Sequence, residues 1–536
     1  MRNYHIVQGT VKATKLMNFL DSNFEKRRNN MATRKRGKIS IMVLLVFSFL
    51  ICVDSQAASK KEITVGFSTF STTLDPQVQF DQPTYSICRM IFDPLIYFDW
   101  DMKIKPWLAE RWERLDDFTW KLNLKKGVKF HNGEPFNAAS VKYSMERYLD
   151  PALKTPQKKM YEFTKGVDII DDYTVLVKTN IPMRPFLNFW AIQAALPPKA
   201  GSDYGKFGLN PIGTGPYKFV QYIPNDKVVI EANQDYWAGR PKFDRITFRI
   251  IKEDSTRVAA LLAGEVDLIT NVSPDAIPKI KENSRTIVKA LPVFRMVYLA
   301  LNQKRFEPFK DKRVRQAFSY GVDRESLLKY MLGGIGLVAN GPIHPQIEFH
   351  NPKLTPYKHD PERAKKLLAE AGYGKGFKVN LGTPYGRYLK DKEVATAVAG
   401  QLQKIGVQAT VIPTDWAVFL SERYKGKDSK FDLWLASWGT VTVNADWAFR
   451  WPYFSPTLHG HDDPKIDDLL DKGRGTFDEK KAGEIYFELQ KIALEDSPLI
   501  CLYWQPEING MTKDLEGDFT PRADEFTIPN DRYKVK

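Results

Sequence analysis

"NPIGTGPYKF" (Asn210–Phe219) sets two glycines and two prolines around a threonine and then runs into an aromatic strand. A glycine-rich turn of this kind is either a phosphate cradle or a piece of scaffold, and the choice separates an enzyme from a binding protein. A phosphate loop feeds a helix N-terminus and usually supplies a lysine. Here the turn feeds a strand, Pro216 removes an N–H donor, and no Lys-Ser/Thr pair follows. The stretch reads as scaffold.

Strands and helices alternate outward from it. "GPYKFVQY" and "KVVIEAN" read as strands joined at "IPND", and "DRITFRIIK" as another. "DSTRVAALLAGEVDLIT" reads as a helix capped by Asp254 or Ser255 and stopped at Gly264, followed by a buried strand. Upstream, "EITVGFST" alternates as a strand, and "TYSICRMIFDPLIYF" is a helix followed by a strand. A hairpin turns at Asp116-Asp117, a second turn falls at Asn132-Gly133, and Asn137 caps a helix. The same grammar recurs through "FRMVYLALNQ", "PERAKKLLAEAGY" and "VATAVAGQLQKIGVQATVIP". Such alternation indicates α/β layers. With 536 residues the chain exceeds one ordinary core, so two or three domains are expected, and no flexible linker separates them.

Near the N-terminus, Arg34, Lys35, Arg36 and Lys38 precede an apolar run from Ile39 to Val53, and small residues follow at Ser55 and Ala57. This is the pattern of a secretory leader cleaved after Ala57, and the run is too short for the roughly 20 residues of a membrane-spanning helix. The long polar stretch before it suggests that translation starts at Met31. Residues 1–57 hold +7 of the net +15, which leaves +8 on the rest, without a dense basic tract. Nucleic acid is therefore not the expected partner. Cys88 and Cys501 survive cleavage; they either pair in an oxidising compartment or stay as buried thiols.

The remaining motifs point away from chemistry. His459 and His461 with Asp462 and Asp463 make a weak metal motif, since no further spaced His or Cys supports it. "GYGKGF" (Gly372–Phe377) follows a helix and lacks the preceding strand of a dinucleotide fingerprint. No G-x-S-x-G elbow is present, and no cysteine stands beside a capping histidine. No catalytic residue, metal or cofactor is expected.

Five segments together resemble one family. They are Leu108–Arg147, "IGTGPYKF" (Ile212–Phe219), Ala232–Leu268, Leu299–Glu325 and "DPERAKKLLAEAGY" (Asp360–Tyr373). In this order they resemble the extracytoplasmic solute-binding proteins of the oligopeptide, dipeptide and nickel class (family 5), which serve bacterial ABC importers. The resemblance implies the type II (cluster C) periplasmic binding fold, α/β, with two lobes joined by a two-strand hinge and an extra β-rich subdomain. It places residues 58–98, 208–297 and 498–536 in the first lobe, 99–207 in the extra subdomain and 298–497 in the other lobe.

The resemblance also implies a periplasmic protein that captures a small peptide or peptide-like solute in the interlobe cleft. Its implied partners are two permease subunits and two ATP-binding subunits. An opine, a sugar conjugate or haem is the alternative solute, and a secreted hydrolase the alternative class. Phe70 and Thr72 lie in one loop matching a crevice-facing stretch, and Trp438, Gly439, Thr440 and Asp446 in another. Trp416 joins them. Tyr385 stands where the dipeptide branch has an arginine for the peptide carboxylate, with Arg387 two residues on. Val441 stands where that branch has an aspartate for the amino group, with Asp446 five residues on.

Overall fold

The computed structural model describes residues 61–78, 81–155, 157–453 and 462–533. The leader and the His459/His461 pair lie outside them.

Two strands of unusual length, Thr286–Leu301 and Leu499–Thr512, run antiparallel at the centre of an 11-stranded mixed sheet. On one side lie Leu433–Gly439, Phe377–Pro384 and Val407–Thr414, the last two in parallel register. On the other lie Leu268–Ile269, Glu62–Phe67, Arg245–Ile250, Lys227–Ala232 and Tyr217–Ile223. From Val293 to Leu301 (Arg295 apart) and from Leu499 to Trp504 the central strands are continuously apolar, as strands covered on both faces should be. Their alternation sorts the core. Val297, Leu299 and Leu301 pack in one apolar cluster, and Met296, Tyr298 and Ala300 in the other, because successive side chains point to opposite faces of a sheet.

A separate four-stranded antiparallel sheet, in the order Ala109–Arg114, Thr119–Leu124, Thr174–Thr179, Thr164–Asp171, lies inside the 99–207 stretch. Its first hairpin turns at 115–118, as expected. Asn137 caps the Ala138–Leu149 helix through its side chain, with Ser140 reciprocating.

The GTGPY turn serves as scaffold. Gly215 donates to the carbonyl of Ile91 at 2.9 Å, and a Cβ on Gly215 would sit 2.6 Å from that oxygen. Thr214 donates to Asp93 at 2.9 Å. Asp93 also accepts from Trp107, Trp237, Tyr236 and Arg532, at 2.8–3.0 Å. This fully buried carboxylate, two residues past the Gln82–Ile91 helix, ties the turn and the C-terminal segment together.

Two sequence expectations are corrected or decided. The helix expected to be capped by Asp254 or Ser255 begins at Asp254 itself: Glu253 occupies the cap position, and Asp254 binds Arg257 and the Ser273 amide instead. Gly264 does end that helix, with φ at 80°. Cys501 carries no disulfide, so the Cys88–Cys501 bond is not made; its sulfur lies 3.4 Å from Tyr453 Oη.

Candidate functional site

The ladder between the two central strands is irregular at two places, between Pro292 and Met296 and between Val297 and Tyr298. Pro292 faces Pro506 across the ladder, and neither has an N–H to give. The register then slips between Pro292 and Met296, and such a bulge bends a strand and redirects side chains. Phe294 is held from outside instead: its N–H donates to Ala523, and its carbonyl accepts from Thr440. Immediately around this break the apolar strands carry charge, Arg295 on one and Glu507 on the other.

These charges line a small, partly open cavity of about 30 Å3, room for a water or two. Gln82, Asn271, Arg387 and Glu525 share its polar wall with Gln505 and several hydroxyl side chains. Arg295 pairs with Glu525 at 2.7 Å and donates to Ser437 at 2.9 Å. Burial works against the Arg295 charge, but Glu525 outweighs it and holds the guanidinium above its ordinary range. Glu507 is pushed up to about 8, first by burial and then by the neighbouring Glu525, with Arg295 only partly opposing. Arg387 is shifted the other way: burial and the like charge of Arg295 both disfavour its charged form. Among the described residues Arg387 makes no ion pair. A larger groove of about 840 Å3 lies elsewhere, on the surface between residues 351–358 and the Glu479–Asp496 helix.

Arg387 is carefully positioned nonetheless. It belongs to a loop between the Phe377–Pro384 strand and the Asp391–Gln403 helix. The buried Asp391 carboxylate accepts from the amides of Gly386, Arg387, Tyr388 and Lys392 at 2.9–3.1 Å. Gly386 and Lys390 adopt positive φ, 72° and 53°, to let the loop fold over that carboxylate. The guanidinium of Arg387 stacks 5.2 Å from the Trp416 ring, a contact that fixes a planar cation. Lys390 reaches Asp275 at 2.5 Å, and the Leu389 amide reaches Gln505 at 3.5 Å. The loop therefore grips the far side of the sheet.

The expected site residues fall into three groups. Arg387 lines the cavity, Trp416 stacks on it, and Gly439 forms the adjoining wall. A Cβ on Gly439 would lie 3.0 Å from Arg295, 3.1 Å from Gln82 and 3.2 Å from Glu525. Trp438 and Thr440 flank Gly439. Trp438 stacks on Trp451 at 5.3 Å and 12°, and Thr440 is buried. The remaining four are placed otherwise. Phe70 is packed in the core near Tyr222, Thr72 is exposed, and Tyr385 is 64% exposed.

Asp446 is fully buried with its oxygens taken by Arg450 and Arg474, at 3.0 and 2.6 Å. Burial disfavours the Asp446 charge, yet the two arginines hold the carboxylate below its usual range. Sequence reasoning missed Gln82, Arg295, Glu507 and Glu525. Arg295 and Glu507 did leave a signal, since each is a charge inside an apolar strand. Among the described residues no group of three or more His, Cys, Asp or Glu is arranged to hold a metal. No helix there is long and apolar enough to cross a membrane.

A large mixed α/β sheet built around two long antiparallel strands is consistent with the fold of periplasmic solute-binding proteins. The chain belongs to the bacterial extracellular solute-binding proteins, family 5, whose middle-region model matches residues 103–459. It is 31% identical over 475 residues to the glutathione-binding protein GsiB of Pectobacterium atrosepticum, covering 86% of this chain and 91% of that one. GsiB of Escherichia coli K12 is 30% identical over 480 residues, covering 86% and 93%. Among solved structures, the binding protein AgaA of A. tumefaciens R10 with agropinic acid matches with a TM-score of 0.77 and 28% identity, over 87% of this chain and 98% of that one. The oligopeptide-binding protein AppA of Bacillus subtilis with a nonapeptide matches at 0.77 and 26%, over 88% and 99%. The chain is thus a solute-binding protein of an ABC importer.

Proposed function

We propose that the chain captures peptide-like solutes, from glutathione to oligopeptides, at the crossing of its two central strands. It delivers them to two permease subunits driven by two ATP-binding subunits. In this reading the protein is periplasmic after cleavage near Ala57. Residues 58–98, 208–297 and 498–536 form one lobe and 298–497 the other, with 99–207 as an added subdomain. The lobes close about the proline-marked break in the strands. Phe70, Thr72, Tyr385, Arg387, Trp416, Trp438, Gly439, Thr440 and Asp446 were the expected contacts, and the proposal centres on Arg387, Trp416, Trp438 and Gly439.

The observation that carries this reading is Arg387. Its side chain is partly buried at the cavity, rigidly presented, and makes no ion pair among the described residues. A solute carboxylate supplies the missing partner in the paired geometry that guanidinium groups favour. The glutathione-binding and nonapeptide-bound relatives support a peptide-like ligand, and the agropinic acid complex supports an opine as the second reading. Glu507 and Glu525 in one crevice, one of them pushed up to about 8, also resemble a general-acid arrangement. Glu525, however, is committed to Arg295.

The test is a thermal-shift screen of glutathione, di- and tripeptides, a nonapeptide, agropinic acid and oligosaccharides, because a ligand that binds only the folded state raises the melting point. At least one free-carboxylate peptide should stabilise the protein and be recovered intact by mass spectrometry. Stabilisation by sugars alone, or recovery of a cleaved solute, would contradict the reading.

A further inference from the structure

We infer that Arg184 and Glu348 form a clasp that holds the crevice shut, so that they set how long a solute is retained without touching it. This rests on the proposed closure of two lobes and gives the 99–207 subdomain its part in that closure. The chain passes from residues 61–285 to residues 302–498 through one central strand, Thr286–Leu301, and returns through the other, Leu499–Thr512. A side-chain contact between those two parts, away from the strands, must break when the lobes separate. The subdomain makes a group of such contacts. Arg184 Nη1 and Nη2 donate to the two carboxylate oxygens of Glu348 at 3.0 and 2.6 Å. The Arg184 amide donates to the Arg474 carbonyl at 2.9 Å, and the Asn188 side chain to the Val443 carbonyl at 3.2 Å. Arg114 covers the Phe477 ring at 3.8 Å.

Both halves of the clasp are rigidly presented. Pro182 and Pro185 fix the backbone on either side of Arg184, and the buried Met183 and Phe186 anchor it. Opposite, Phe349 adopts φ 58°, a left-handed conformation that a bulky residue rarely takes. Stacking on Tyr486 at 5.4 Å and 6° holds it there, and Gln490 donates to its carbonyl at 2.7 Å. Glu348 directly precedes this bend, and the Arg184 guanidinium also lies 4.7 Å from the Phe349 ring. A guanidinium forked onto both oxygens of a carboxylate is a strong and directional pair, and here both partners are half-buried. Burial works against the Arg184 charge, yet Glu348 outweighs it and holds the guanidinium above its ordinary range. The other pair that crosses between the two parts, Lys390 with Asp275, uses an acid that is 76% exposed, and such surface pairs contribute little. Neither Arg184 nor Glu348 lines the cavity of Arg387 and Glu507. A contact made only after the solute has entered adds to affinity by slowing release.

The test is stopped-flow binding of glutathione and of trialanine to the exported chain, as the natural protein, Arg184→Ala, Glu348→Gln and the double variant, with urea midpoints measured without solute. Arg184→Ala should speed dissociation of both solutes by the same factor, at least about tenfold, as truncating one partner of a buried charge pair does. Association should stay within about twofold. Glu348→Gln, which can still accept from the Ala445 amide, should act in the same direction. The double variant should be no worse than Arg184→Ala, because the two residues act as one contact. The ligand-free urea midpoint should not move, since the open form lacks the contact. A fall in that midpoint shows a merely structural pair and overturns the inference. So does a penalty confined to one solute, or dissociation unchanged in every variant; the natural protein's own binding then leaves the proposed function standing. If neither solute binds the natural protein, the proposed function falls and the clasp with it.

Discussion

At the residue scale the account turns on Arg387 and Glu507, two ionisable groups at the cavity that make no ion pair among the described residues. Arg387→Ala should weaken glutathione or peptide binding at least tenfold, since a hydrogen bond to a charged group contributes about 1.5–3 kcal/mol. Its melting point without ligand should not fall, because the natural guanidinium is already disfavoured by burial and by Arg295. Glu507 gives a pH signature. Its carboxyl titrates at about 8 in the folded chain against an ordinary 4.5, so folding favours the protonated form. Its contribution to stability is complete below 4.5 and is lost as pH rises through 8. Urea midpoints of the ligand-free protein should therefore fall across that window, and Glu507→Gln should flatten the fall. Arg387 lies in a loop, Gly439 ends a strand and Trp416 opens the Trp416–Tyr424 helix; the family resemblance, not local pattern, put them among the expected contacts. The commitment of Asp446 was only half legible. Its i,i+4 pairing with Arg450 is a local pattern, but nothing local shows that Arg474 on the next helix takes its other oxygen.

Elements set these residues, and their failures should be separable from loss of the charges themselves. Asp391→Ala frees the four amides that shape the loop carrying Arg387. It should cost about tenfold in affinity, the scale expected when a preorganised loop must be ordered on binding, with Arg387 still present. Calorimetry comparing this variant with Arg387→Ala checks the order of the two effects. In the scaffold, Asp93→Ala should lower stability by about 3–5 kcal/mol, because it strands Arg532 in the interior. A urea midpoint should show this loss even with ligand absent. The hairpin at 115–118, the Asn137 cap and the Gly264 stop were readable from turn and cap chemistry alone. The Phe70 loop was less so. Its sequence shows a polar turn, but Asp75 is drawn to the buried Arg147, with Nη1 at 3.1 Å, and Phe70 packs inward, contacts decided by residues far along the chain.

For the whole molecule, the α/β class followed from alternating strands and helices, whereas the sheet order did not. The central pairing joins strands some 200 residues apart, and no local pattern specifies which two apolar strands will meet. The pairing of Pro292 with Pro506 became meaningful only once they stood opposite each other. There the ladder loses donors, the strands can bend, and charges gather at the break. A cavity of about 30 Å3 is too small for glutathione, so a solute can enter only if the two sides of the sheet part first. Ionisation of Glu507 above pH 8 favours the same parting, since it lets water reach the carboxylate.

Small-angle X-ray scattering of the exported chain, before and after saturation with the peptide-like solute that stabilises it most, tests this directly. The ligand-free curve should show a larger radius of gyration than the closed structure, and solute should contract it to the closed value while remaining intact. Identical curves with and without bound solute would contradict the account.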